Sequence, residues 1–243
     1  MKTYLSVVLA VLMTCMTAHA AVNIDRTRLV FNERDKAVSL KIENESKKLP
    51  YLAYAWVTDS QGQKNDDFFI ALPPIQRLEP GAMSQVRIMK QNTARLPQDR
   101  ESLFYFDLRE IPPQPDLQGK NSAVMQLAMQ SRIKLFYRPA ALQTENIQDQ
   151  AIKLKVTQNG NWLTINNPTP YHITIAWMGQ EGQTLNGFKG DMVAPFDSIS
   201  VKAPIMMPKV GRMPWIPANA WVAPHQEVSV QAERQLPVGL LPG

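Results

Sequence analysis

An all-β fold of two immunoglobulin-like sandwiches is predicted by three features of the chain. Short runs alternate apolar and polar residues with a period of two, and turn residues punctuate them. No long window sustains a 3.6-residue apolar period. The length, 243 residues, fits one large domain or two smaller ones, since domains usually hold ~100–150 residues. A hydrophobic share of 44% against a charged share of 19% excludes a disordered chain. The net charge of +5 is mild and no basic run exceeds Lys47-Lys48, so nucleic acid is not an expected partner.

Residues 1–20 read as a secretory signal. Lys2 supplies the positive start, residues 4–16 the apolar stretch, and Ala18-His19-Ala20 the small-x-small cleavage site, with the cut expected after Ala20. The apolar stretch is shorter than the ~20 residues a spanning helix needs. Thr14 is larger than the residue a lipoprotein site accepts before its cysteine, here Cys15. Cys15 is the single cysteine, so the exported chain relies on neither disulfides nor thiolate chemistry. Its stability must come from buried apolar area.

Strands are expected at 22–30, 37–42, 51–57, 85–89, 102–108 and 124–137 in the first half, about seven in the first ~118 residues of the mature chain. Val38, Leu40 and Ile42 share one face of their run, and Leu52, Tyr54 and Trp56 share one face of theirs. Gly62, Pro73-Pro74, Pro80-Gly81 and Pro112-Pro113 mark turns. Pro139 cannot continue a ladder, and a polar stretch follows it. This places the first domain at 21–138 and the second at 139–243. Strands of the second are expected at 151–157, 161–166, 172–177, 198–202 and 227–232.

Catalytic groups are sparse. After the signal, the histidines are His172 and His225, neither at metal-ligand spacing from another. His172 reads as a packed or surface residue. Phosphate loops and nucleophile elbows are absent from the sequence, and the acidic groups at Asp66-Asp67 and 99–101 read as loop carboxylates. No enzyme activity, small-molecule substrate, cofactor or metal is expected. A glycan hydrolase on a sandwich needs a carboxylate pair in a groove, and none can be nominated.

The run 124–137 is more informative. Met125, Leu127, Met129, Ile133 and Leu135 share one face, with Gln126, Ala128, Gln130, Arg132 and Lys134 on the other. It is far longer than the usual ~5–6 residues and comes last in its domain, where an edge position is expected. Long apolar edge strands recruit other chains, which is a hazard unless recruitment is the purpose. β-augmentation uses such an edge, with backbone bonds for affinity and alternate side chains for fit.

Several blocks then resemble the PapD-like periplasmic pilus chaperones. They are Ala21-Val-Asn-Ile-Asp-Arg-Thr-Arg28, Leu49-Pro-Tyr-Leu-Ala-Tyr-Ala-Trp56, Pro73-Pro-Ile-Gln-Arg-Leu-Glu-Pro-Gly81 and Leu96-Pro-Gln-Asp-Arg-Glu-Ser-Leu-Phe-Tyr-Phe106. Leu108-Arg-Glu-Ile-Pro-Pro113 and Ile133-Lys-Leu-Phe-Tyr-Arg-Pro-Ala140 continue the series. The second half is matched more loosely, by Asn167-Pro-Thr-Pro-Tyr171 and Met192-Val-Ala-Pro-Phe196. The resemblance implies two sandwiches set as a boomerang around a cleft. It implies that Arg28 and Lys134 anchor the C-terminal carboxylate of a pilus subunit, and that Met125, Leu127 and Met129 form the donor row that completes the subunit's fold. It implies an interdomain ion pair of Glu101 with Arg138. The family's third member, an aspartate, falls near Asn219-Ala220-Trp221, where none stands; the network is then either incomplete or completed by another carboxylate such as Asp191. The short connection at 111–123 resembles the short-loop branch of the family.

The function implied is a periplasmic, ATP-independent chaperone that caps pilus subunits, tip adhesins among them. It would deliver them to an outer-membrane usher, and could cap itself as a dimer through the same strand. A polymerising pilin, the structural alternative, needs an alternating extension ahead of its first strand, whereas here the motif-bearing strand starts at Ala21.

Overall fold

A computed structural model describes residues 20–114, 126–142, 147–176, 178–180, 183–184 and 188–202. The leader up to residue 19, Met125, the neighbourhood of Asn219 and the strand expected at 227–232 lie outside the described residues. Two compact units form. One gathers the described residues among 20–27, 37–89 and 105–133; the other gathers 28–36, 90–104 and the described residues from 134 on.

Eight strands precede residue 114: β1 (Val22–Ile24), β2 (Arg28–Asn32), β3 (Ala37–Asn44), β4 (Tyr51–Thr58), β5 (Phe69–Leu72), β6 (Ile75–Leu78), β7 (Met83–Lys90) and β8 (Ser102–Ile111). β9 (Gln130–Arg138) follows. They make a four-stranded sheet in the order β1-β3-β7-β5 and a five-stranded sheet in the order β2-β9-β8-β4-β6. Alternation decides which faces are buried. Leu40 and Ile42 of β3, Val86 and Ile88 of β7, Ala53, Ala55 and Val57 of β4, and Phe104, Phe106 and Leu108 of β8 are all buried. In β4 the larger row expected to share a face does so, but on the outer side. Leu52 is exposed, and the Tyr54 and Trp56 rings stack at 4.7 Å.

Two expected elements are corrected. The single strand at 22–30 is two strands in two sheets: β1 pairs antiparallel with β3, and β2 pairs parallel with β9. The cause is a change of phase. Val22 is buried at an even position, whereas Leu29 and Phe31 are buried at odd ones, so a single ribbon could not bury both sets. The strand at 124–137 is β9 from Gln130 on, while residues 126–129 precede the ladder and are exposed. Nor is β9 an edge strand along its whole length, because β2 pairs with it from Lys134 to Arg138.

The described residues beyond 138 hold a short helix, α1 (Ile147–Ala151), and seven strands. These are β10 (Lys155–Asn159), β11 (Trp162–Asn166), β12 (Ile173–Ile175), β13 (Gly179–Gln180), β14 (Gln183–Thr184), β15 (Asp191–Val193) and β16 (Ser198–Lys202). Ala151 closes the helix rather than opening a strand. β10-β11-β16 form one sheet, and β12 pairs with β15. Leu154, Leu163, Ile165, Tyr171, Ile173, Ile175, Met178 and Val193 make one buried cluster.

Candidate functional site

β2 and β9 run side by side in parallel, and their register sets Arg28 directly opposite Lys134. The residues that follow each of them in the two strands, Leu29 and Leu135, are buried; by the pleat, the two cations share the opposite face. Both cations are half-buried. Burial pushes the Lys134 ammonium below its ordinary value, and the neighbouring Arg28 charge pushes it further; the Asp191 carboxylate acts in the opposite sense. Burial likewise lowers the Arg28 guanidinium. The Lys134 ammonium reaches the Thr174 hydroxyl of β12 at 3.5 Å. Two like charges held together and partly dried favour an anion, whose arrival relieves both penalties. Thr174 could not have been found from sequence, since nothing in the alternation of β12 marks it.

Leu127 and Met129, two of the three residues expected in the donor row, are exposed at 68% and 44%. They have the parity of Ile133 and Leu135, yet exposure falls along that row until Leu135 is fully buried. The change occurs where β2 takes up the outer edge of β9. Ahead of Lys134, β9 neighbours β8, and among the described residues no strand pairs with its other edge. Met129 is tied to β8 by its carbonyl, which accepts from the Glu110 N–H at 3.0 Å.

Glu101 and Arg138 form an ion pair. One carboxylate oxygen accepts from Arg138 Nε at 2.9 Å and Nη2 at 2.8 Å, with the two side chains only 2% and 12% exposed. Glu101 is therefore not a solvated loop carboxylate, unlike Asp99, which pairs with Arg100 at the surface. Its other oxygen accepts from the backbone N–H of His172 at 2.9 Å, with His172 Nδ1 3.4 Å away. His172 is packed, its ring 5.3 Å from that of Phe136. Among the described residues, His172 thus joins the pair, while the charge of Asp191 acts on Lys134.

The sequence matches one family over most of its length. The model described as "Pili and flagellar-assembly chaperone, PapD N-terminal domain" matches residues 21–143, and "Pili assembly chaperone PapD, C-terminal domain" matches 149–216. The chain belongs to the PapD-like family of pilus-assembly chaperones. It is 54% identical to the fimbrial chaperone YbgP of Escherichia coli strain K12, over 79% of this chain and 80% of that one. It is 48% identical to the chaperone protein PapD of Escherichia coli, over 76% and 78%. Among solved structures, the complex of the Salmonella enterica SafA pilin with the SafB chaperone matches with a TM-score of 0.68 and 26% identity, over 78% of this chain and 86% of that one. The chain has a chaperone role in pilus assembly. No helix among the described residues is long and apolar enough to cross a membrane.

Proposed function

We propose that this chaperone acts in the periplasm, after removal of residues 1–20, by lending the first half of β9 and the residues ahead of it to an incomplete pilus subunit or tip adhesin. Such donor-strand complementation is an established case of β-augmentation. Met125, Leu127 and Met129 fill the subunit's groove, and Arg28 with Lys134 receives its C-terminal carboxylate. The observation that carries this reading is the in-register pair of half-buried cations on adjoining strands. Charge-assisted bonds to a carboxylate are short and about twice as strong as neutral ones. Each buried Leu or Met side chain contributes ~1.5–3 kcal/mol before ordering costs.

The chain divides at 138 into two domains, a reading supported by family matches that end at 143 and restart at 149. Glu101 and Arg138, the last residue before the junction, are then the first domain's members of the interdomain ion network. An outer-membrane usher receives the complex. With no subunit present, the same edge caps a second copy of this chain.

The test is periplasmic co-expression with a panel of pilus subunits and isolation of one-to-one complexes. Arg28→Ala and Lys134→Ala each abolish recovery while leaving the chaperone folded. Wild-type recovery by both variants would reject the anchoring role.

A further inference from the structure

Asp107 of β8 is fully buried, although Arg109 and Ile111, on the same face of the strand, are exposed. Its carboxylate takes four donors. Arg132 gives Nε at 2.7 Å and Nη2 at 3.2 Å, Gln130 gives Nε2 at 2.8 Å, and Thr58 gives its hydroxyl at 3.0 Å. Gln130 and Arg132 are alternate residues of β9, both ahead of the point where β2 begins to pair. The contacts continue outward: Gln130 Oε1 accepts from Arg109 Nη2 at 2.8 Å, and the Arg109 guanidinium lies 5.4 Å from the Trp56 ring centroid. The Arg132 guanidinium lies 5.3 Å from the Tyr105 ring centroid. One buried acid thus ties the one-sided part of β9 to β8 and β4.

We propose that Asp107 is a positioning residue for subunit capture, holding the open half of β9 extended and in register before a partner arrives. The inference rests on the donor-strand reading above. A ribbon paired along one edge only is prone to local opening, and a partner that must order it loses that ordering entropy on binding. Side-chain bonds from Gln130 and Arg132 to a buried charge remove much of that cost in advance. Arg132 is partly exposed, so it can turn to water when the carboxylate is removed.

Three full-length variants test this: Asp107→Asn, Arg132→Gln and the double variant. In the free chaperone, Asp107→Asn speeds amide hydrogen exchange in the first half of β9 while exchange in β3 and the melting temperature stay near wild type. Capture of the best-recovered subunit of the panel slows roughly tenfold, an effect of ordering several side chains. Release from the formed complex is unchanged, because the subunit then holds the ribbon. Arg132→Gln added to Asp107→Asn causes little further loss, since both break one network. Unchanged exchange and capture in Asp107→Asn would overturn the proposal. So would a capture loss matched by a general loss of stability, or independent additive losses from the two substitutions. If the wild type captures no subunit, the donor-strand reading fails, and the holding role of Asp107 is then decided by the exchange pattern alone.

Discussion

Arg28 and Lys134 face each other across a parallel ladder, and neither gains from the other in the free protein. The Lys134 ammonium is depressed by burial and by its cationic neighbour, so between its lowered folded value and the ordinary 10.5 the unfolded chain binds more protons than the native one. Stability therefore rises with pH across that window, and below it the full penalty is present. Lys134→Met removes the penalty at neutral pH and raises the melting temperature by roughly 1–3 °C, as scanning calorimetry can check. On the proposed reading, subunit affinity responds with the opposite sign. It falls as pH rises through the lowered value, because the bound carboxylate needs the charged ammonium; titration of complex formation above neutrality reads this. Glu101 presents another case. Glu101→Ala strands the buried Arg138 guanidinium and removes an acceptor from the His172 N–H. The expected loss is about 3–5 kcal/mol in denaturant unfolding. The pairing of Glu101 with Arg138 was legible in the sequence through family motifs. The place of His172 beside them was not, since a lone histidine next to Tyr171 carries no signal of what its backbone N–H meets.

At the scale of elements, period-two alternation located β3, β4, β7, β8, β11 and β16 closely. It failed where the chain does something alternation does not encode. The switch between β1 and β2 is written as a one-residue change of phase between Ile24 and Leu29, visible only once two sheets are considered. The length of β9 was overread because its polar and apolar residues keep alternating through 126–129, where neither face is buried. For that same reason Leu127 contributes little to the fold of the free chaperone. Leu127→Asp changes unfolding free energy by no more than about 0.5 kcal/mol, while on the proposed reading complex recovery is lost. Paired denaturation and co-purification measurements check both halves of this expectation. The short strands β13, β14 and β15 lacked alternation long enough to read.

At the scale of the whole molecule, each compact unit uses the same device to close a turn around a buried asparagine. Asn44 donates from Nδ2 to the carbonyls of Leu49, Leu78 and Glu79 at 3.0–3.1 Å, and its Oδ1 accepts from the Ser46 N–H. Asn167 donates to the carbonyls of Tyr171, Val193 and Ala194, and its Oδ1 accepts from the Thr169 N–H and hydroxyl. Both begin an Asn-x-Ser/Thr triplet, the pattern of an Asx turn. Alanine at either site removes the side-chain donor to three carbonyls and the acceptor of a backbone N–H, although the Glu79 and Ala194 carbonyls keep the N–H groups of Ala82 and Asp197. Asn44→Ala and Asn167→Ala should each cost about 2–4 kcal/mol in denaturant unfolding. Sequence reading placed Asn167 only in a family block and passed over Asn44, because carbonyls that each binds, those of Val193 and Leu78, lie far along the chain. Finally, β2 begins at Arg28, level with Lys134, and there the open side of β9 stops. On the proposed reading a guest strand reaches a fixed buffer at that point with its own last residue, so it must travel in the same direction as β9. Its alignment is then counted backwards from its terminus instead of being found by trial. Lengthening a subunit by a single C-terminal residue would turn its outward side chains inward, and the chaperone would refuse a protein whose every other feature was correct.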